Sequence, residues 1–150
     1  MRLRHLLLIA AVLFCPAISH AVTCSVSNVQ PINLGSVNPL SATGATSSMT
    51  FNYTCTKELG DALAGINLCF NIGASAVSGQ VTPRNMSLSG TPASTLAYQL
   101  YQDSGRTKVW GSQYQSGTTF PMVQLSLLNL TPVTGSLTVS AQIVTPQTSA

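Results

Sequence analysis

Residues 83–111 read PRNMSLSGTPASTLAYQLYQDSGRTKVWG. Leu96, Tyr98 and Leu100 alternate with small or polar residues, the period-two pattern of a strand with one face on a core. Ser89-Gly90-Thr91-Pro92 and Asp103-Ser104-Gly105 interrupt that pattern with turn formers. Trp110 closes the stretch near a strand end, where a large ring plugs a core more often than it holds a ligand. The alternation recurs on both sides. Met49, Phe51, Tyr53 and Cys55 share one face, as do Ile66, Leu68, Phe70 and Ile72, and then Leu137, Val139, Ala141 and Ile143. Weaker strand candidates are residues 24–29, 32–37, 86–88, 108–110 and 122–127, while 57–64 reads as a loop with at most one helical turn. Short strands punctuated this often predict an all-β chain folded as an antiparallel β-sandwich.

The first 21 residues stand apart. Arg2 and Arg4 precede the apolar run of residues 6–14, and Ser19-His20-Ala21 is a small-x-small cleavage site. This is the layout of a secretory signal peptide, with cleavage expected after Ala21. The run is shorter than the roughly 20 residues a membrane helix needs. Residues 22–150 have the size of one domain, with no repeat or linker. Beyond the leader the charges nearly cancel: Lys57, Arg84, Arg106 and Lys108 face Glu58, Asp61 and Asp103, so the formal net charge of +3 owes much to the leader. No cluster of cations is present to neutralise phosphates, which argues against nucleic acid as a partner. Low net charge favours self-association.

Three cysteines follow the leader: Cys24, Cys55 and Cys69. Export favours a disulfide, but spacing alone leaves all three pairings open. Cys69 is out of phase with the apolar residues of its own strand, so an unbulged strand turns its thiol away from the core.

Catalysis finds no support in the residue types. Both histidines, His5 and His20, lie in the leader, which removes Ser-His and Cys-His pairs. Three scattered cysteines lack the paired spacing of a zinc site. Glu58, Asp61 and Asp103 read as loop and turn carboxylates, so no catalytic residue, cofactor or metal is expected. Arg84 reads as a cation that packs its stem and solvates its head. Bulky apolar residues in loops, with Leu40, Leu63 and Val77 as the leading candidates, either cap the sandwich or form a contact surface.

Arg84-Asn85-Met86, Leu96-x-Tyr98-x-Leu100-Tyr101-x-Asp103, Arg106 and Val109-Trp110-Gly111 together resemble the spore coat U domain, which is also the subunit module of archaic chaperone–usher pili. The resemblance runs from near Cys24 to about Ile143, almost all of the expected mature chain. It implies an immunoglobulin-like sandwich and a Cys24–Cys55 bridge, which leaves Cys69 without a partner in the chain. Members of the family continue past the loop at 145–150 into a further strand, so the sandwich is expected to be incomplete at its C-terminal end. The implied partners are a periplasmic chaperone, an outer-membrane usher and other pilus subunits, joined by donor-strand complementation. Export through the periplasm to the cell surface follows. With Cys24 so close to the cleavage site there is little free donor arm, which places the chain at a pilus tip, contacting apolar surfaces in attachment and biofilm formation. The alternative is a secreted envelope or spore-coat protein that binds matrix polysaccharide.

Overall fold

The computed structural model describes residues 22–38, 40–41, 43–59, 64–88 and 91–147. The expected signal peptide and Leu63 lie outside these residues. Seven strands follow one another: β1 (Thr23–Ser27), β2 (Thr46–Thr56), β3 (Ala64–Cys69), β4 (Arg84–Leu88), β5 (Thr91–Tyr101), β6 (Met122–Leu127) and β7 (Val133–Ile143). They form two antiparallel sheets, a five-stranded one in the order β1-β2-β7-β5-β4 and a two-stranded one of β3 and β6. The chain is therefore the all-β sandwich its alternation predicts. Residues 32–37, a candidate strand in the sequence, carry no strand assignment, and residues 108–110 contribute only an isolated bridge between Tyr101 and Val109.

Register explains which side chains point inward. Phe51 pairs with Leu137, Met49 with Val139 and Leu100 with Ala141, so one face of the large sheet is apolar across its three central strands. The opposite face is polar, where Thr50 lies opposite Thr138 with their hydroxyl oxygens 2.7 Å apart. β3 and β6 lay Ile66, Leu68, Val123, Leu125 and Leu127 over Tyr53 and Cys55. A second cluster centres on Phe51, Trp110 and Val139, and Phe70 contacts both. Its ring lies 5.5 Å from that of Phe51 and 5.4 Å from that of Tyr53 between centroids. Gly135 sits opposite Tyr53, and a Cβ at that position would overlap the tyrosine ring. Glycine there is a packing requirement.

The expected disulfide is present. Cys24 and Cys55 are directly opposed across β1 and β2, with Cα atoms 4.1 Å apart, and form the disulfide. Cys69 is a free, exposed thiol, alternating with half-buried Leu68 and Phe70 as its phase requires.

Arg84 departs from its reading. Its residue is only 2% exposed, so the guanidinium head is buried along with the stem. Arg84 lies opposite Tyr98 on the inner face of the β4–β5 hairpin. There its guanidinium donates to the carbonyls of Gly73 and Trp110, while Nε finds no acceptor among the described residues. Burial holds its pKa below the ordinary guanidinium range, and the Tyr98 phenol acts in the opposite sense. A lone arginine on a strand reads as a surface residue in sequence because nothing local reveals that loop 73 and Trp110 close over it.

Candidate functional site

Two strands cannot cover five. Tyr53 and Cys55 lie beneath β3 and β6, and the Phe51–Trp110–Val139 cluster is covered by Phe70, Ile72 and Ile32, whereas Met86 and Leu96 of the β4–β5 hairpin belong to neither cluster. Met86 pairs with Leu96 and Tyr98 with Ile143, which places Met86, Leu96 and Ile143 on one inner face; Ile143 is buried at its floor, and the Met86–Leu96 end is the part left uncovered. A cavity of about 720 Å³ opens there, with Ile32, Leu34 and Val37 forming its other wall. An apolar sheet face of this kind normally meets a second layer. Here it meets a groove.

The wall at 31–37 is as informative as the void. Ile32 packs on the Phe51–Trp110–Val139 cluster, so the segment is anchored at one point. Gly35 N–H donates to the Asn33 side chain at 2.8 Å, and Gly35 adopts φ +67°. Among the described residues, no backbone–backbone hydrogen bond joins 31–37 to a neighbouring strand. Apart from the Gly35 N–H, its N–H and C=O groups thus have no backbone partner among the described residues and lie beside an apolar groove. Such groups carry a strong demand for partners, and an extended peptide that supplies both backbone hydrogen bonds and alternate apolar side chains satisfies it.

Chain beyond β7 is held on the same hairpin. Val144 N–H donates to the Ala97 carbonyl at 3.0 Å, and the Gln147 side-chain amide both donates to Ala97 O and accepts from Ala97 N at 3.1 Å. The loop at 144–147 thus continues the β7–β5 pairing by one backbone bond and the Gln147 side chain.

The turn at Asp103 forms where the sequence places it, with Asp103 accepting from nearby backbone as expected, although the positive φ falls on Arg106 rather than on Gly105. The Asp103 carboxylate accepts from the backbone N–H groups of Thr107 and Lys108 and from the Thr107 hydroxyl. These backbone donors hold its pKa below the usual carboxylate range. Arg106 takes φ +57° in the same turn.

The candidate contact residues are distributed over separate loops. Leu40, in the β1–β2 connection, is 80% exposed, and Val77, in a turn braced by the Ser75 hydroxyl, is 46% exposed. A different group of leucines shares one end of the sandwich. Leu59 follows β2, while Leu128 and Leu130 lie between β6 and β7; pairings Cys55↔Val133 and Ala64↔Leu127 bring those two connections to the same end. Their exposures are 83%, 66% and 51%. Sequence reasoning missed them, although a signal existed: alternation through β6 turns Leu127 inward and therefore Leu128 outward.

Among the described residues, no group of three or more His, Cys, Asp and Glu side chains is placed to hold a metal ion, and no helix is long and apolar enough to cross a membrane. A family model described as the Spore Coat Protein U domain matches residues 10–150. No curated protein and no solved structure matches the chain.

Proposed function

The chain belongs to the Spore Coat Protein U domain family, and from that membership we propose that it is a structural subunit of an archaic chaperone–usher pilus, positioned at the fibre tip. The family and the Cys24–Cys55 disulfide together point to an exported, structural protein of pilus or coat type. The observation that carries the finer reading is the uncovered Met86–Leu96 end of the β4–β5 inner face beside segment 31–37, which has no strand partner among the described residues. In this reading a periplasmic chaperone delivered with the usher first fills the groove with a strand of its own. A neighbouring subunit's extended segment then replaces it. The chain performs no catalysis in this role and requires no cofactor.

The tip position is supported by the end of the sandwich that carries Leu59, Leu128 and Leu130. Exposed large apolar groups collected at one end of an exported domain form a contact surface. Surface attachment and biofilm formation are the activities such an end serves.

Changing Leu59, Leu128 and Leu130 together to Asp is expected to reduce adhesion to apolar surfaces by about tenfold, equivalent to about 1.4 kcal/mol of lost binding. Pilus number should stay constant by electron microscopy, with immunogold label placed singly at fibre ends. Unchanged adhesion, or label spaced along the shaft, would contradict the tip role. Leu40→Asp and Val77→Asp test the other two exposed loops in the same assay.

A further inference from the structure

A second, smaller cleft lies between two turns that the groove does not involve. Its volume is about 300 Å³, at the lower end for small-ligand sites. Gly73, Ala74, Gly79, Ser112, Tyr114 and Gln115 line it. The turns that form it are braced from within. The Ser75 hydroxyl accepts from the backbone N–H groups of Val77 and Ser78 and donates to Asn85 O. On the other side, Ser112 Oγ accepts from Tyr114 N, and Asn71 Oδ1 accepts from Gln113 N. A latch joins the two: Gln115 Oε1 accepts from Val81 N at 2.9 Å, and its Nε2 donates to Gln80 Oε1 at 2.6 Å. The cleft is therefore held open by a preformed frame, which lowers the ordering cost of binding.

Two features specify what would fit. Tyr114 is 82% exposed at the cleft wall and its phenol makes no hydrogen bond to the described residues, while Gly73 and Gly79 leave open space where a side chain would project. An accessible aromatic ring with amides and backbone beside it suits the mixed apolar and hydroxyl faces of a sugar ring. Independently, a positive charge lies directly behind the cleft. The Gly73 carbonyl accepts from the buried Arg84 guanidinium. Neither described carboxylate neutralises that charge. Asp103 is engaged by Thr107 and Lys108, and Glu58 follows β2 at the end of the sandwich where β7 begins, whereas Arg84 pairs with Tyr98 where β7 finishes. Eleven residues of β7 separate those ends by roughly 30 Å at strand rise.

We propose that this cleft binds an acidic sugar residue, such as a uronic acid of an extracellular polysaccharide, with Tyr114 against the ring and the carboxylate drawn by the field of Arg84. The guanidinium acts through the floor without contact, so its contribution is long-range attraction.

The test is calorimetric titration of the oxidised full chain, its groove filled by a strand-length peptide of alternating apolar residues, with trigalacturonate and, separately, with the neutral trisaccharide cellotriose. Trigalacturonate is expected to bind at least about tenfold more tightly than cellotriose, a difference of about 1.4 kcal/mol, and to weaken as salt rises. Tyr114→Ala should reduce its affinity by a similar factor. Gly73→Val should abolish binding by filling the cleft, with the disulfide and the tryptophan fluorescence unchanged. No binding of trigalacturonate, equal binding of the neutral trisaccharide, or full affinity in both variants would each overturn the proposal.

Discussion

Replacing Cys24 with Ser is expected to lower the stability of the oxidised chain by about 2–5 kcal/mol, the usual cost of losing a disulfide from a small exported domain. The bridge closes a sequence separation of 31 residues. In the chain-entropy description a loop of that length contributes about 3–4 kcal/mol by restricting the unfolded chain. Its location adds to the effect, because β1 is an edge strand paired only with β2 and all five of its residues are exposed. Without the bond, little but five backbone pairings holds it. Cys24 is the informative choice because it is exposed, whereas Cys55 is 0% exposed. Cys24→Ser reports the bond alone, and Cys55→Ser adds the cost of placing a hydroxyl in the core. Urea denaturation is the measurement. Cys55→Ser should therefore be the less stable of the two, and reduction of the wild type should match Cys24→Ser. A Cys24→Ser variant as stable as the oxidised wild type would contradict this.

Truncating Trp110 to Ala is expected to cost about 3–5 kcal/mol, the range for deleting a buried large aromatic. The ring is 1% exposed and stands 6.3 Å from Phe51 between centroids. Its Nε1–H donates to the Phe70 carbonyl at 2.9 Å, tying the long connection after β5 to the end of β3. The main chain of Trp110 also pairs with Leu100 O and accepts from Arg84. Loss of the ring thus opens a cavity and leaves a carbonyl without its donor at the same point. Trp110→Phe separates the two contributions, keeping most of the volume and losing the N–H; its cost should be about 1–3 kcal/mol. Since Trp110 is the only tryptophan, circular dichroism rather than fluorescence must follow unfolding in both variants. Equal stability of Trp110→Ala and wild type would remove Trp110 from the core.

Strand identity was largely legible because period-two alternation is a local property. Met49 through Cys55 announced the centre of β2, Met122 through Leu127 the whole of β6, and Trp110 its own burial. Residues 32–37 show the limit of that signal. Ile32 and Leu34 alternate like strand residues, but pairing depends on a neighbour, and the described residues provide none. Arg84 shows another limit, since its burial is imposed by Gly73 and Trp110, far along the chain. The groove itself was anticipated only through family resemblance. Nothing in the pattern of Met86 and Leu96 distinguishes a strand face covered by a second sheet from one left open. The leucine end required knowledge of which loops meet, and that is a property of register across β2, β7, β3 and β6.

Amide hydrogen exchange across residues 32–37, with and without an added strand-length peptide of alternating apolar residues, tests the central claim most directly. An open groove predicts fast exchange there in the free chain, because those amides lack strand partners. It also predicts aggregation of the free chain through its uncovered edge. Bound peptide should then protect alternate amides of the segment and give a monomer. Residues 32–37 already protected in a free, cooperatively melting monomer, with no change on adding peptide, would contradict the account.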